Sequence, residues 1–264
     1  MTEFPEERLA ELARERCVVL KDEPDARVEI LGAGTDAVVC KTYRTTGLRW
    51  LQTFFRRSRA ARECRNLVVV TAAGVPCLQP LGWSAVRRGP GTASSKLVTR
   101  LQTDAVSLKQ ALDELPRNAR ARQALATADG ALLARLHTAG VLWCTPMPRN
   151  VLVVGDPAQA DLRVCDTPAC MVTERNLRGG RLARIDLFLA AFSPSRRREW
   201  SRTERLRWLL GYAAGDRREA RRLWRAMAGR GELRNDVERA FAMTALARIL
   251  ALRRADCIPQ PIAR

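Results

Sequence analysis

The sequence contains little of several residue types that would place it in a class at once. Only one histidine, four lysines and 5% aromatic residues occur among its 264 residues, and its purely apolar runs are short, as at Val151–Val154. Because a helical membrane span needs about 20 consecutive apolar residues, the sequence predicts no such span. The N-terminal residues are acidic and no apolar block follows them, unlike a secretory signal. These absences predict a cytoplasmic protein.

Cysteine is present, but not in an arrangement that suits a metal. The chain has eight cysteines without a C-x-x-C pair, and His137 is its only histidine. A structural zinc site needs four ligands at close spacing, which Cys165 and Cys170 alone do not supply. Since disulfides are rare in cytosolic proteins, we expect free thiols and no zinc site.

Positive charge is the most unusual feature of the composition. Lysine and arginine number 46 against 28 acidic residues, which gives a net charge of +18 and a pI near 11.0. One interpretation is a general drift toward arginine, with the arginines on solvated helix faces. The other is a polyanionic partner, such as a nucleic acid, an anionic lipid or a phosphorylated glycan. The sequence has few aromatic residues and no recognisable nucleic-acid-binding motif. A basic nucleic-acid-binding protein is therefore kept only as an alternative.

Hydrophobic patterning predicts an α+β chain with a β-rich first part and a helical second part. Short β-type runs cover 17–43, a basic helix covers 51–72, and a β-like pair brackets Gly89–Gly91. From Ser107 onward the pattern is helical, with one β-hairpin at 151–165. The predicted helices of this part are 119–139, 180–192, 203–214, 217–228 and 232–252. The predicted domains are an extension at 1–26, an N-lobe at 27–104 and a helical C-lobe at 105–264.

A glycine-containing turn and a lysine form the first candidate site. Gly32 and Gly34 lie between two predicted strands, where backbone N–H groups can approach phosphates because no Cβ blocks them. Lys41 follows on the second strand and can hold the α- and β-phosphates of a nucleotide as a point charge. The alternative is that Lys41 simply faces solvent.

Three further polar residues extend this pattern. Glu63 is the one acidic residue among the arginines of the basic helix, and it either pairs with Lys41 or forms an exposed pair with Arg59 one turn earlier. Asn150 precedes the predicted hairpin and Asp166 follows it. Their amide and carboxylate oxygens can converge on Mg²⁺, which prefers hard oxygen ligands.

The order of these features resembles a protein-kinase-like fold, and more narrowly the bacterial lipopolysaccharide kinase (Kdo/WaaP) family. The residues that carry the resemblance are Lys41–Arg44, Ser58–Glu63, Gly74–Pro76, Pro148–Asn150 and Ala183–Leu187. The resemblance implies a bilobal fold, ATP and Mg²⁺ as cofactors, and a nucleotide as partner. It also implies that Asp186 braces the catalytic loop, and that an anionic glycolipid or the inner membrane face is a further partner.

One departure from the family pattern bears on the activity. Related kinases carry H-x-D-x-x-x-x-N in the catalytic loop, where the Asp accepts the proton of the substrate hydroxyl. Aligning Asn150 with that Asn puts Thr145 at the Asp and Trp143 at the His, and a Thr hydroxyl cannot act as a carboxylate base. The predicted function is therefore Mg²⁺-dependent phosphoryl transfer from ATP to a sugar or lipid-linked hydroxyl, impaired by the missing base. A pseudokinase scaffold without turnover is the alternative.

Overall fold

An antiparallel five-stranded sheet forms the N-lobe. The computed structural model describes residues 3–45, 50, 53–54, 57–89, 91–117, 119–173, 175–192 and 199–228. The elements of the N-lobe are α1 (Glu6–Glu15), β1 (Cys17–Glu23), β2 (Ala26–Leu31), β3 (Val38–Arg44), α2 (Arg59–Ala72), β4 (Pro80–Arg88) and β5 (Gly91–Arg100). The sheet order is β1-β2-β3-β5-β4. The predicted extension at 1–26 includes β1 and the first residue of β2, and β1 pairs with β2 in this sheet.

The two helices of the N-lobe pack on opposite faces of the sheet. Successive residues of a strand point to opposite faces. On β3, Val38 and Cys40 pack with α1, whereas Tyr43 packs with α2. Lys41 is two residues before Tyr43 and therefore lies on the α2 face. The alternation of β3 thus turns the lysine toward the helix that carries Glu63.

Helix α2 begins later than the sequence pattern predicts. Ser58 has an extended backbone and its hydroxyl accepts a hydrogen bond from the Ala61 N–H at 3.2 Å, which makes it the N-cap. The prediction of one continuous helix over 51–72 is therefore wrong, since 53–54 and 57–58 are not helical. Thr53 lies in a turn, while 51–52 and 55–56 are outside the described residues.

The C-lobe is helical with small sheets inserted. Its elements are β6 (Ala105–Ser107), α3 (Leu108–Glu114), α4 (Arg120–Thr138), β7 (Val141–Leu142), β8 (Val151–Val154), β9 (Asp161–Val164), β10 (Met171–Val172), α5 (Arg181–Leu187), a π-helical segment (Phe188–Phe192), α6 (Arg202–Tyr212) and α7 (Arg217–Ala228). The predicted hairpin is confirmed as β8–β9, and the α+β class is confirmed. The helix predicted at 232–252 lies outside the described residues. Within the described part, no helix is long and apolar enough to cross a bilayer.

Two glycines set the spacing between α4 and α6, which pack along each other in the C-lobe core. A Cβ added at Gly130 would lie 1.9 Å from the Trp208 carbonyl oxygen, and one added at Gly211 would lie 1.9 Å from the Thr127 carbonyl oxygen. These contacts are with backbone atoms, which cannot rotate away. The two helices can therefore approach this closely only where neither carries a side chain.

We expect Gly130→Ala to destabilise the protein, although alanine is the better helix former by about 1 kcal/mol. The added methyl group forces the helices apart, and overpacking of this kind costs about 1–3 kcal/mol or more. The free energy of unfolding from urea titration measures the effect. Ala226→Gly, at an exposed position of α7, reports helix propensity alone. A Gly130→Ala protein as stable as the original would contradict this account of the crossing.

Candidate active site

Lys41, Glu63 and Tyr43 form a buried polar cluster between β3 and α2. The Lys41 Nζ lies 3.4 Å from Glu63 Oε1, and the Tyr43 hydroxyl donates to Glu63 Oε2. Glu63 has no exposed surface and Tyr43 is 2% exposed. The alternative of an exposed Glu63–Arg59 pair is therefore wrong. Arg59 instead stacks on the Tyr43 ring, with its guanidinium carbon 4.3 Å from the ring centroid.

The segment that follows β9 closes the cluster from the C-lobe. Asp166 Oδ1 lies 2.5 Å from the Lys41 Nζ. The next residue, Thr167, donates its backbone N–H to Glu63 Oε1 at 3.4 Å, and its carbonyl accepts from Asn66 Nδ2 at 2.6 Å. Three residues singled out from the sequence, distant along the chain, thus lie in one cluster between the lobes.

Burial and charge act against each other in this cluster. Burial raises the pKa of Glu63, and the nearby Lys41 ammonium and Tyr43 hydroxyl oppose that rise without cancelling it. Burial alone would lower the pKa of Lys41, but the attraction of Glu63 and Asp166 outweighs it, so the pKa is raised. Burial also raises the pKa of Tyr43, which keeps its hydroxyl protonated as a donor. Lys41 is therefore a fixed cation at neutral pH.

Asp186 holds the loop that follows β7. Its carboxylate accepts the backbone N–H groups of Trp143 at 2.5 Å and Cys144 at 2.8 Å. His137 Nε2 lies 3.3 Å from Asp186 Oδ2, and His137 Nδ1 lies 2.9 Å from the Tyr212 hydroxyl. A carboxylate only accepts, so Nε2 carries the hydrogen of that bond. His137 is a buried structural residue that orients Asp186.

Asn150 and Thr145 meet at the base of the β8–β9 hairpin. The Asn150 Nδ2 donates to the Thr145 carbonyl at 3.0 Å, and the Asn150 carbonyl accepts from the Cys165 N–H at 3.1 Å. The hairpin thereby brings Asn150 next to the residue before Asp166. Trp143 Nε1 donates to the Asp166 carbonyl at 2.8 Å. The Thr145 Oγ1 is buried and has no hydrogen-bond partner among the described residues.

The two glycines of the predicted phosphate turn have different surroundings. Gly32 has φ +80°, its N–H donates to the carbonyls of Leu12 and Arg16 at 3.0 Å, and a Cβ there would lie 2.7 Å from Leu12 Cδ2. Gly32 is thus required where α1 ends against the sheet. Gly34 has φ +59° and nothing within 4 Å of an added Cβ. Among the described residues, the space beside Gly34 is open.

Tyr43, Thr167 and Asn66 are the site residues that sequence reasoning missed. Tyr43 had a usable signal, since its spacing of two from Lys41 on a strand places both on one face. Thr167 contributes its backbone N–H and carbonyl, and Asn66 binds that carbonyl. Contacts with backbone atoms cannot be predicted from residue types.

Metal binding by protein side chains alone is not supported in the described part of the chain. No group of three or more His, Cys, Asp or Glu side chains there could hold an ion. Its seven cysteines are free thiols. Any cation at this site would be held by few protein ligands.

Comparison with known proteins gives a family and a fold. A family model described as the lipopolysaccharide kinase (Kdo/WaaP) family matches residues 41–179, which include Lys41, Glu63, Thr145, Asn150 and Asp166. No curated protein sequence matches the chain. Among solved structures, one titled "WaaP in complex with acyl carrier protein" aligns with a TM-score of 0.58 and 19% identity, over 92% of this chain and 98% of that chain. At this identity the likeness shows the fold.

We expect Lys41→Met to destabilise the protein by about 3–5 kcal/mol at neutral pH, because it leaves the Glu63 carboxylate buried without its cation. The pKa of Glu63, already raised by burial, rises further in this variant. A carboxyl whose pKa is raised on folding contributes stability at low pH and loses it as the pH increases. The deficit should therefore be smaller at pH 5 than at pH 8, as measured by urea unfolding.

The matched control is the double variant Lys41→Met, Glu63→Gln. It lacks the Glu63 carboxylate, so no charge is left at position 63 that needs a cation. It should recover most of the lost stability and show no such pH dependence. An equal deficit in both proteins at every pH would mean that the pair does not govern this cluster.

Proposed function

The chain belongs to the lipopolysaccharide kinase (Kdo/WaaP) family, and we propose that it binds Mg²⁺–ATP between its lobes and transfers a phosphoryl group, inefficiently, to a sugar or lipid-linked hydroxyl. The observation that carries the proposal is the position of the Lys41 ammonium, 3.4 Å from Glu63 and 2.5 Å from Asp166. A fixed cation beside an accessible carboxylate suits a triphosphate with its metal.

Lys41 and the glycine turn would hold the phosphates. Glu63, fully buried, keeps the ammonium at the mouth of the cluster, where the Lys41 side chain remains 21% exposed. Gly34 would let backbone N–H groups approach the phosphates, because its surroundings are open. Gly32 contributes by fastening this turn to α1.

Asn150 and Asp166 would hold Mg²⁺, and their donor atoms fit. The Asn150 Nδ2 is engaged by the Thr145 carbonyl, so the amide oxygen is the atom left to coordinate. Asp166 is 24% exposed and supplies a carboxylate. Mg²⁺ in phosphate sites is bound through one or two protein ligands plus phosphates and water, which agrees with so small a set. When bound, the ion would neutralise negative charge on the phosphates.

The missing base limits the rate. Thr145 cannot accept the proton of the attacking hydroxyl, and loss of a general base typically costs about 10²–10⁴ in rate. Positioning and charge stabilisation supply most of the catalysis of phosphoryl transfer. Asp186 maintains the loop through its bonds to Trp143 and Cys144. We therefore infer a slow enzyme.

A pseudokinase is the second candidate, and one observation favours it. The Thr145 hydroxyl is turned away from solvent and unpartnered among the described residues, so it does not present a polar group to a substrate. Such a protein would bind nucleotide without turning it over.

The charge distribution supports an anionic glycolipid as the acceptor, presented at a membrane surface. The first 45 residues carry ten acidic and seven basic residues, so the excess positive charge lies in the rest of the chain. Helix α7 exposes several arginines, namely Arg217, Arg218, Arg221, Arg222 and Arg225. A uniform drift toward arginine does not produce this asymmetry.

Nucleotide binding is tested by calorimetric titration of the protein with ATP, with and without Mg²⁺. We expect Mg²⁺-dependent binding, weakened roughly tenfold or more by Lys41→Ala or Asp166→Ala, since each removes a charged contact. Lys109→Ala and Asp113→Ala, an exposed pair on α3, are the matched controls and should bind as the original does. Absence of Mg²⁺-dependent binding would overturn the proposed function.

Restoring the base separates the two candidates. We expect Thr145→Asp to raise Mg²⁺-dependent ATP hydrolysis or phosphoryl transfer about 10²-fold or more, because a carboxylate returns to the base position. Thr145→Asn has nearly the same shape without the charge and should give no gain. If Thr145→Asp binds ATP normally and turns over no faster, the pseudokinase is the better description.

A further inference from the structure

A cavity of about 460 Å³ lies apart from the residues of the candidate active site. It is formed by the residues that follow α2, by one side of α4 and by the end of α6. Most of its lining consists of alanine and glycine, with Arg135, Arg178, Thr138 and Tyr212 as the larger or polar residues. This volume is within the range of small-molecule sites, roughly 300–1,000 Å³.

Two arginines at the cavity have unused hydrogen-bonding capacity. Arg135 Nη2 donates to the Gly74 carbonyl. Arg178 Nη2 donates to the Tyr212 carbonyl at 2.9 Å, with its guanidinium carbon 5.6 Å from the Tyr212 ring centroid. In the part of the chain that the structure describes, neither guanidinium has a carboxylate within 4.0 Å. The hydrogen bond to a carbonyl holds each guanidinium in place. Because each guanidinium has five N–H donors, most of its donors remain available.

None of the described residues that line this cavity is acidic. Two anchored guanidinium groups without carboxylate partners make it attractive to an anion. A planar guanidinium matches the oxygens of a phosphate group, which it can bind through two parallel hydrogen bonds. The alanine and glycine walls leave room for more than the phosphate itself.

We propose that this cavity binds a small soluble organic phosphate, with Arg135 and Arg178 on the phosphate and the alanine-rich wall against the rest of the molecule. The site is independent of the proposed nucleotide cleft, since it contains neither Lys41 nor Asp166. Its wall is nevertheless connected to the catalytic loop, because the Tyr212 hydroxyl bonds His137, which bonds Asp186.

The test is calorimetric titration of the full chain with sodium pyrophosphate in the absence of Mg²⁺. We expect one saturable site per chain that depends on the two arginines, besides any binding of pyrophosphate at Lys41 in the nucleotide cleft. Arg135→Gln and Arg178→Gln should each weaken it roughly tenfold or more, as loss of a charged hydrogen bond does. Lys41→Ala, compared as folded protein, removes the pyrophosphate binding that the nucleotide cleft contributes and should leave the cavity site unchanged. Arg221→Gln, an exposed arginine of α7 outside the cavity, should also have no effect.

Three results would overturn the proposal. Loss of binding in Lys41→Ala but not in the two cavity variants would place the anion in the nucleotide cleft. Equal weakening by Arg221→Gln would show non-specific attraction to a basic surface, and so would a lack of saturation. Because pyrophosphate binding is measured without Mg²⁺ or ATP, failure here leaves the nucleotide proposal untouched, and failure of the nucleotide proposal leaves this one untouched.

Discussion

The cleft depends on the compensation of one buried charge, the carboxylate of Glu63. Taking a carboxylate fully out of water costs several kcal/mol unless charge and hydrogen bonds repay it. Here Lys41 supplies the charge, while the Tyr43 hydroxyl and the Thr167 N–H supply hydrogen bonds. These donors come from β3 and from the segment after β9, so the lobes must be joined for Glu63 to be satisfied. The electrostatics of one side chain thereby fixes the geometry of the site.

The buried carboxylate of Asp186 is compensated mainly by backbone donors. Two consecutive N–H groups, those of Trp143 and Cys144, bind its carboxylate, and His137 adds a third donor. Cys144 has φ +65°, a left-handed conformation that is unfavourable for a side-chain-bearing residue. The hydrogen bonds to Asp186 hold the loop in that conformation. The loop is therefore shaped by a residue more than 40 positions away, and these hydrogen bonds do not involve the side chain of Thr145.

Sequence reasoning reached the parts of the site that follow from local rules. The glycine turn before β3 and the β8–β9 hairpin are short-range patterns, which is why Lys41, Asn150 and Asp166 could be singled out. The start of α2 was missed because Ser58 has alanine, not an acid, three residues later, so no capping box marks it. The role of Gly32 depends on Leu12, twenty residues earlier, and such packing between distant residues cannot be read from a turn. The cavity likewise is formed by residues from distant parts of the chain, since its lining includes Gly74, Arg135 and Tyr212.

The retained carboxylates argue for a cationic ligand despite the loss of the base. Glu63 and Asp166 raise the pKa of Lys41 together, which places two negative charges around one positive charge. The two carboxylates also repel each other, since the charge of Asp166 contributes to the raised pKa of Glu63. In the proposed complex a divalent cation would offset the charge of Asp166, and the phosphates would be held by Lys41. A threonine at position 145 adds no further negative charge to this cleft, so under the proposed function it would affect proton transfer without opposing the binding of an anionic nucleotide.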